Sequence, residues 1–516
     1  MTPPGLAPLD LAVVAGYLAA VVGMSWAFAR RQRTGADYFL AGRRMGGATL
    51  ALSILANQAS AVSLVGAPAF VALRAGGGLR WLQYELGVPL AMLGLVALLL
   101  PALRSVPGSS IYRYADRRFG PGTRRALAGV FLLTRGLSLG VILYASALVV
   151  SEALGWPVDA SLLAVGLFSV GYTALGGIVA DIWSDVVQLA LLWGGTLLAA
   201  GALLAERGPA LLEGLAAERA RTLVFDATGL GDGATFAFWP MALGGVFLYM
   251  SYYGCDQSQA QRLLTARSDA EASRALVLNG LLRFPLVVSY CLLGLLLAGL
   301  LATDPAFATL MEGRRPDSLV PVFLSTWLPP GLRGLLLAAL LAAAMSSIDS
   351  ALNSLAAVTL EDVLDLPPDA QGVWIGRATA LGWGVFAIVS GLLFARGEAG
   401  VLEGINQIGS AFYGPMLAVF LLGAFAPGVG GRGVMVGLVA GVLGNLALWR
   451  LAPGVSWLWW NPAGLAVASL VALAADRAAP ALGRVRWPRR ETTLLLAAFA
   501  AMLLALLVLP SLLLAG

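Results

Sequence analysis

Apolar runs long enough to cross a bilayer dominate the 516-residue chain. A membrane-spanning helix needs about 20 predominantly apolar residues. Fourteen stretches reach that length: 8–29, 47–72, 80–102, 122–152, 157–178, 184–205, 236–255, 276–302, 322–357, 373–395, 400–426, 432–450, 456–475 and 492–514. Several exceed 25 residues, which predicts tilt, a break, or an extension beyond the bilayer. The longest polar stretches between them, 206–235 and 303–321, have room for a loop with a helical turn or two and for no soluble domain. The pattern predicts an all-α integral membrane protein with about 14 transmembrane helices.

Composition agrees: 59% of residues are hydrophobic and 12% charged, about half the charge of a soluble domain. The 33 basic residues are all arginine, and histidine is absent. That removes the usual imidazole and amine bases. No HExxH motif and no Ser or Cys with a histidine partner appears. The chain is not read as an enzyme. Cys255 and Cys291 lie in apolar surroundings without a CxxC pattern and read as small core fillers.

The net charge of +5 acquires meaning once the arginines are located. No basic region precedes the first apolar run, and RRQR follows it, which predicts an uncleaved first helix with its N-terminus outside. On that topology twenty-one arginines, among them Arg104, Arg124 and Arg262, fall on cytoplasmic loops and ten on outer loops. The bias supports a multi-pass protein of the plasma (inner) membrane with both termini extracytoplasmic, and it explains the basic charge without nucleic acid. Arg135 and Arg283 fall inside spans, where charge is costly and therefore paired or functional.

Three segments concentrate polar groups in apolar spans. In LLAAAMSSIDSALNSLAAV (340–358), Ser346, Asp349, Ser350 and Asn353 share one helical face at i, i+3, i+4, i+7. Such a stripe offers oxygen ligands to a hard cation, or interhelical hydrogen bonds. In GGIVADIWSDVVQ (176–188), a glycine pair ends one span, and Asp185 and Gln188 can face inward together. Asp181 reads as an acid that satisfies a helix N-terminus, and Asp185 could do that or serve a site. In LANQASAVSLVGAPAF (55–70), Gly66 and Pro68 predict an interrupted helix whose freed carbonyls line a cavity, or else a simple kink.

DYFLAGRR (37–44), NQASAVSLVGAPA (57–69), GGIVADIWSDVVQ (176–188), YYGCDQSQAQR (252–262), AAAMSSIDSALNS (342–354) and INQIGSAFYGP (405–415) together resemble the sodium:solute symporter family. The resemblance implies ten core helices in an inverted five-plus-five repeat, with one helix before and three after. The units become 1–46, first helix and basic loop; 47–205, first repeat; 206–235, extracellular loop; 236–427, second repeat; and 428–516, three C-terminal helices. It implies a sodium site from Ala56, Ala59, Ala343, Ser346 and Ser347, and a candidate second cation site from Asp185, Ser346, Asp349 and Ser350. It places Ser63, Gln83, Glu85, Tyr252, Arg283 and Gln407 at the solute cavity or its gate.

The function so implied is import of a small polar solute coupled to one or two sodium ions by alternating access. Arg283, whose guanidinium suits a bidentate carboxylate, favours an organic anion such as a monocarboxylate. Neutralisation by Glu85 would instead leave a site for a sugar, polyol or zwitterion. A proton-coupled transporter, with Asp185 or Asp349 as the carrier, is the alternative of another class.

Overall fold

The computed structural model describes residues 6–514 except 60, 214, 216, 367–371, 396–400, 479–484 and 486. Among the described residues the main helices are α1 (Pro8–Ala29), α2 (Gly47–Gln58), α3 (Ala61–Leu73), α4 (Gly78–Arg104, 3-10 in its first turns), α5 (Pro121–Leu154), α6 (Val158–Arg207), α7 (Gly245–Cys255) and α8 (Gln257–Leu264). They continue with α9 (Asp269–Thr303), α10 (Leu319–Trp327), α11 (Leu332–Val358), α12 (Val373–Ala395), α13 (Val401–Phe425), α14 (Gly431–Leu451), α15 (Trp460–Ala475) and α16 (Arg489–Leu514). No strand is present among them.

By length and apolarity ten of these helices can cross a membrane, and the bent α2–α3 pair makes eleven. Three of the fourteen expected spans account for the difference. The stretches 157–178 and 184–205 run together in the 50-residue α6, 236–255 becomes a short π-helical turn (Pro240–Gly244) followed by the 11-residue α7, and 400–426 falls on α13. The expected span 322–357 divides at Leu328–Gly331 into α10 and α11.

Burial separates the layers. In its most apolar window α11 is 89% buried, whereas α1 is 17% and α16 22%. A helix hydrophobic all round either sits at the centre of a bundle or faces lipid; α11 does the first and α1 and α16 the second. α11 packs against α6, α5 and α1, and α9 packs against α2 and α3.

Three local irregularities shape the interior. α2 stops at Ala59 (ψ 63°), and the chain turns by 56° into α3. The break therefore falls after the polar NQA stretch, not at Gly66 and Pro68, which lie inside α3. A second break at Asp256 (φ −83°, ψ 120°) separates α7 from α8, with the Asp256 side chain capping α8 through Ser258 N at 2.8 Å. In α6, Gly177 adopts φ +57°, ψ −168°, a conformation open essentially to glycine alone. A Cβ there would stand 2.7 Å from the Tyr38 ring. The glycine pair read as a span boundary is thus where two helical segments of α6 meet across a kink. The buried Asp10 of α1 accepts from Gly331 N and Gly334 N at 2.7 and 2.8 Å, capping the start of α11.

Candidate ion and solute sites

The last carbonyls of α2 have no partner within their own helix. Asn57 O accepts from Ser347 Oγ at 3.4 Å, and Gln58 O accepts from Ser63 Oγ at 3.5 Å. Beside this break Ala56, Ala59, Ala343 and Ser346 line a narrow void with Gln188, Leu189 and Leu192. Four of the five expected sodium ligands therefore share one void, while Ser347 is not among its lining residues and bonds Asn57 O. Gln188 was not in the expected ligand set. Its Nε2 donates to the Tyr17 hydroxyl at 3.2 Å, while its Oε1 is buried without a hydrogen-bond partner. A buried orphan oxygen in an enclosed wall calls for a ligand.

The four residues of the candidate second cation site divide between two clusters. Asp185 accepts from Ser53 Oγ at 2.5 Å, from the Ser346 hydroxyl, and from Arg262 Nη2 at 2.7 Å. The same Arg262 Nη2 lies 3.1 Å from Asp181 Oδ1 and bonds the Ser350 hydroxyl; Nε donates to Ser53 Oγ at 2.7 Å. Asp349 instead accepts from the Tyr172 hydroxyl and from Thr173 Oγ1 at 2.5 Å. A guanidinium of the protein stands at the centre of the Asp185 cluster, and no cation stands beside Asp349 among the described residues.

Arg262 and Asp181 correct two expectations. Read as a loop arginine, Arg262 is 1% exposed; read as a helix-dipole acid, Asp181 is its buried partner. The signal lay in α8, where five polar side chains in eight residues are all buried, because buried carboxylates and amides require partners. Ser346 donates its proton to Asp185, which leaves the hydroxyl lone pairs free to face a cation in the void.

The expected solute residues also separate. Arg283 Nε and Nη2 grip Glu85 Oε2 and Oε1 at 2.6 and 3.1 Å, with Tyr249 OH 3.1 Å from Nη2. The bidentate carboxylate contact expected of Arg283 is made to Glu85. Gln83 turns outward, donating to Phe236 O at 2.8 Å and accepting from Val224 N at 3.2 Å. The Tyr252 hydroxyl accepts from Gln259 Nε2 at 3.1 Å. Gln407 lies on α13, outside the residues whose side chains are described. A file of aromatic rings links these groups: Tyr84–Tyr249 at 4.8 Å, Tyr249–Tyr253 at 6.2 Å, Tyr253–Tyr252 at 5.6 Å and Tyr252–Tyr413 at 6.1 Å between centroids.

Arg135 of α5 sits by the far end of this file, near Tyr252 and Tyr413. Its Nη2 donates to Ser258 Oγ at 2.6 Å, and Nη1 lies 3.9 Å from Asp256 Oδ2. Its Nε is buried without a partner. Arg135 thus retains unused donor capacity, whereas Arg283 is engaged on two sides.

The family model of the sodium:solute symporter family matches residues 38–441. The human sodium/iodide cotransporter is 31% identical over 427 residues, 81% of this chain and 65% of that protein. A sodium-coupled monocarboxylate transporter 1 of Xenopus laevis is 28% identical over 444 residues, covering 84% and 70%. The chain thus spans just under two thirds of the length of the first of these relatives. A Na+-coupled sialic acid symporter, solved substrate-bound and outward-open, superposes with a TM-score of 0.81 at 23% identity over 92% of this chain and 99% of that one. The shared fold is the all-α membrane architecture around an inverted five-plus-five core.

Proposed function

The chain belongs to the sodium:solute symporter family, and from that premise we propose that it is a sodium-coupled secondary symporter carrying a small organic anion by alternating access. The observation that carries the coupling is the void at the α2 break. Ala56, Ala59, Ala343 and Ser346 line it, and in this reading the three alanine carbonyls and the hydroxyls of Ser346 and the neighbouring Ser347 supply the oxygen ligands that one small hard cation takes. Gln188 Oε1 adds a further oxygen. A cation held there ties α2 to α11 and favours the conformation in which both walls meet. Asp185 orients Ser346 from behind, as an outer-shell partner does for a metal ligand.

One sodium per cycle is the reading this geometry favours. Arg262 already neutralises Asp185, and Asp349 faces Tyr172 and Thr173. The cluster of Asp181, Asp185 and Arg262 still has more acid than base, which attracts a cation to the adjacent void.

The anion reading rests on Arg135, whose orphan Nε is available to an incoming carboxylate. It agrees with relatives named for iodide and monocarboxylate transport. A second reading, a sugar or polyol, is favoured by the mutual neutralisation of Glu85 and Arg283.

Uptake into proteoliposomes under an imposed sodium gradient tests the coupling; uptake indifferent to sodium defeats it. Reversal of the flux against known gradients reads the stoichiometry. Arg135→Gln should weaken uptake of lactate or iodide at least tenfold, about 1.4 kcal/mol, and leave sodium half-saturation in place. Unchanged affinity in that variant, with competition by a neutral sugar, would favour the second reading.

A further inference from the structure

On the outer side of the aromatic file, a cleft of about 200 Å³ lies between the start of α4 and the segment leading into α7. Arg74, Gly76, Arg80, Gly233, Thr235 and Phe236 are among its lining residues, and no lining residue is acidic. We propose that this cleft is an outer staging site that holds a small anion, a carboxylate or a halide, before it passes the rings beneath. The proposal deepens the anion reading above and rests on it.

Three observations carry it. Arg80 presents a buried Nε with no hydrogen-bond partner, while its Nη2 meets only Glu218, whose side chain is 65% exposed. The Glu218 end of the pair stands in solvent, where screening weakens it and lets an anion compete for the guanidinium. Arg74 adds a second guanidinium, lying 4.7 Å above the Phe236 ring and 5.6 Å above Phe70. Gly76, at φ +64°, lets Arg80 pass within 3.3 Å of where a Cβ would stand, so the backbone is shaped around that side chain.

The floor of the cleft places it on the solute route. Phe236 packs on Phe70 at 5.0 Å and on Trp81 at 6.1 Å, and Trp81 meets Tyr84 at 6.0 Å between centroids. From Tyr84 the rings continue to Tyr249, Arg283 and Glu85. Positive charge in a walled concavity concentrates anions locally by about 10-fold or more and speeds their entry. Here that charge stands directly over a lid of rings that separates it from the interior.

The test uses Thr235→Cys in the full-length protein, where Cys255 and Cys291 are buried and slow to react. Anionic and cationic methanethiosulfonate reagents of similar size are compared. The anionic reagent is expected to react about 10-fold faster at low salt, and the ratio should collapse at ~1 M salt, where the Debye length is ~3 Å. T235C with Arg80→Gln should lose the ratio, and T235C with Arg80→Lys, which keeps the charge, should retain it.

Lactate or iodide should slow the labelling. Protection by lactate but not by equal chloride identifies the transported solute as occupant; equal protection by chloride identifies bulk halide. Both support an anion site. Equal reagent rates, or a ratio indifferent to R80Q, overturn it. The labelling needs no transport, so failure of lactate or iodide to be carried refutes the anion reading without obscuring this result.

Discussion

Ser346→Ala removes one proposed sodium ligand and the donor to Asp185 in a single step. The hydroxyl lies between the void and the Asp185 carboxylate. After substitution Asp185 keeps Ser53 at 2.5 Å and Arg262 at 2.7 Å, so the surrounding acid cluster stays paired and the loss falls on the cation. An interaction between a polar group and a full charge contributes about 1.5–3 kcal/mol. With ~1.4 kcal/mol per decade, half-saturating sodium should rise roughly 10- to 150-fold. The assay is initial uptake into proteoliposomes across a sodium titration at fixed solute. By linkage, the factor by which sodium still tightens solute in the variant must equal the factor by which solute tightens sodium, so saturating sodium should restore solute affinity. Ser354→Ala is the control: two turns further along α11, Ser354 Oγ bonds only Ser350 O at 2.7 Å and Ala351 O at 3.0 Å of its own helix. An unchanged sodium half-saturation in S346A, or an equal shift in S354A, would refute the reasoning.

Three further outcomes are expected. Glu85→Gln or Arg283→Gln alone should each destabilise the solubilised protein by about 3–5 kcal/mol, because either leaves a buried charge unpaired, and the double variant should be milder than either; thermal unfolding reads this, and additive losses would count against a coupled pair. Gly177→Ala forces a side chain into a glycine-only conformation 2.7 Å from the Tyr38 ring and should cost at least about 1–3 kcal/mol of backbone strain; an unchanged unfolding temperature would mean that the kink is not required. Asp232, on the exposed loop ahead of α7, accepts from Thr228 N, Gly229 N and Ala234 N, which holds its carboxyl down at about 2. Since the folded value lies below the unfolded one, near ~3.9, the loop's order is present above that range and is lost as pH falls through about 2. Hydrogen exchange over residues 226–237 should show this loss, and Asp232→Asn should show it already at neutral pH; flat protection down to pH 2 would contradict the role.

Much of the site was legible as positions and little of it as pairings. The stripe Ser346, Asp349, Ser350, Asn353 was visible because helical periodicity alone puts those residues on one face. That face does not act as one site: Ser346 and Ser350 meet Asp185 and Arg262, while Asp349 points to Tyr172 and Thr173. The interrupted first core helix was legible as an event and misplaced in position. Gly66 and Pro68 are helix breakers in isolation, but α3 accommodates them, and the chain opens instead at Ala59. Arg262 was misjudged because charge near a span end normally signals a loop. Only the approach of α8 to α6 and α11 supplies the carboxylates and hydroxyls that allow its burial.

Sequence by itself determined the class of molecule, its family, and the segments that must lie in lipid. Those properties follow from local composition, from motifs contiguous in the chain, and from the length a helix needs to cross hydrocarbon. Tertiary structure decided which guanidinium answers which carboxylate. Arg283 took Glu85, Arg262 took Asp181 and Asp185, and Arg135 kept a free donor. The partners in the first two cases lie 198, 81 and 77 residues apart. In a low-dielectric interior every charge must find a partner, but which one it finds depends on how the helices pack.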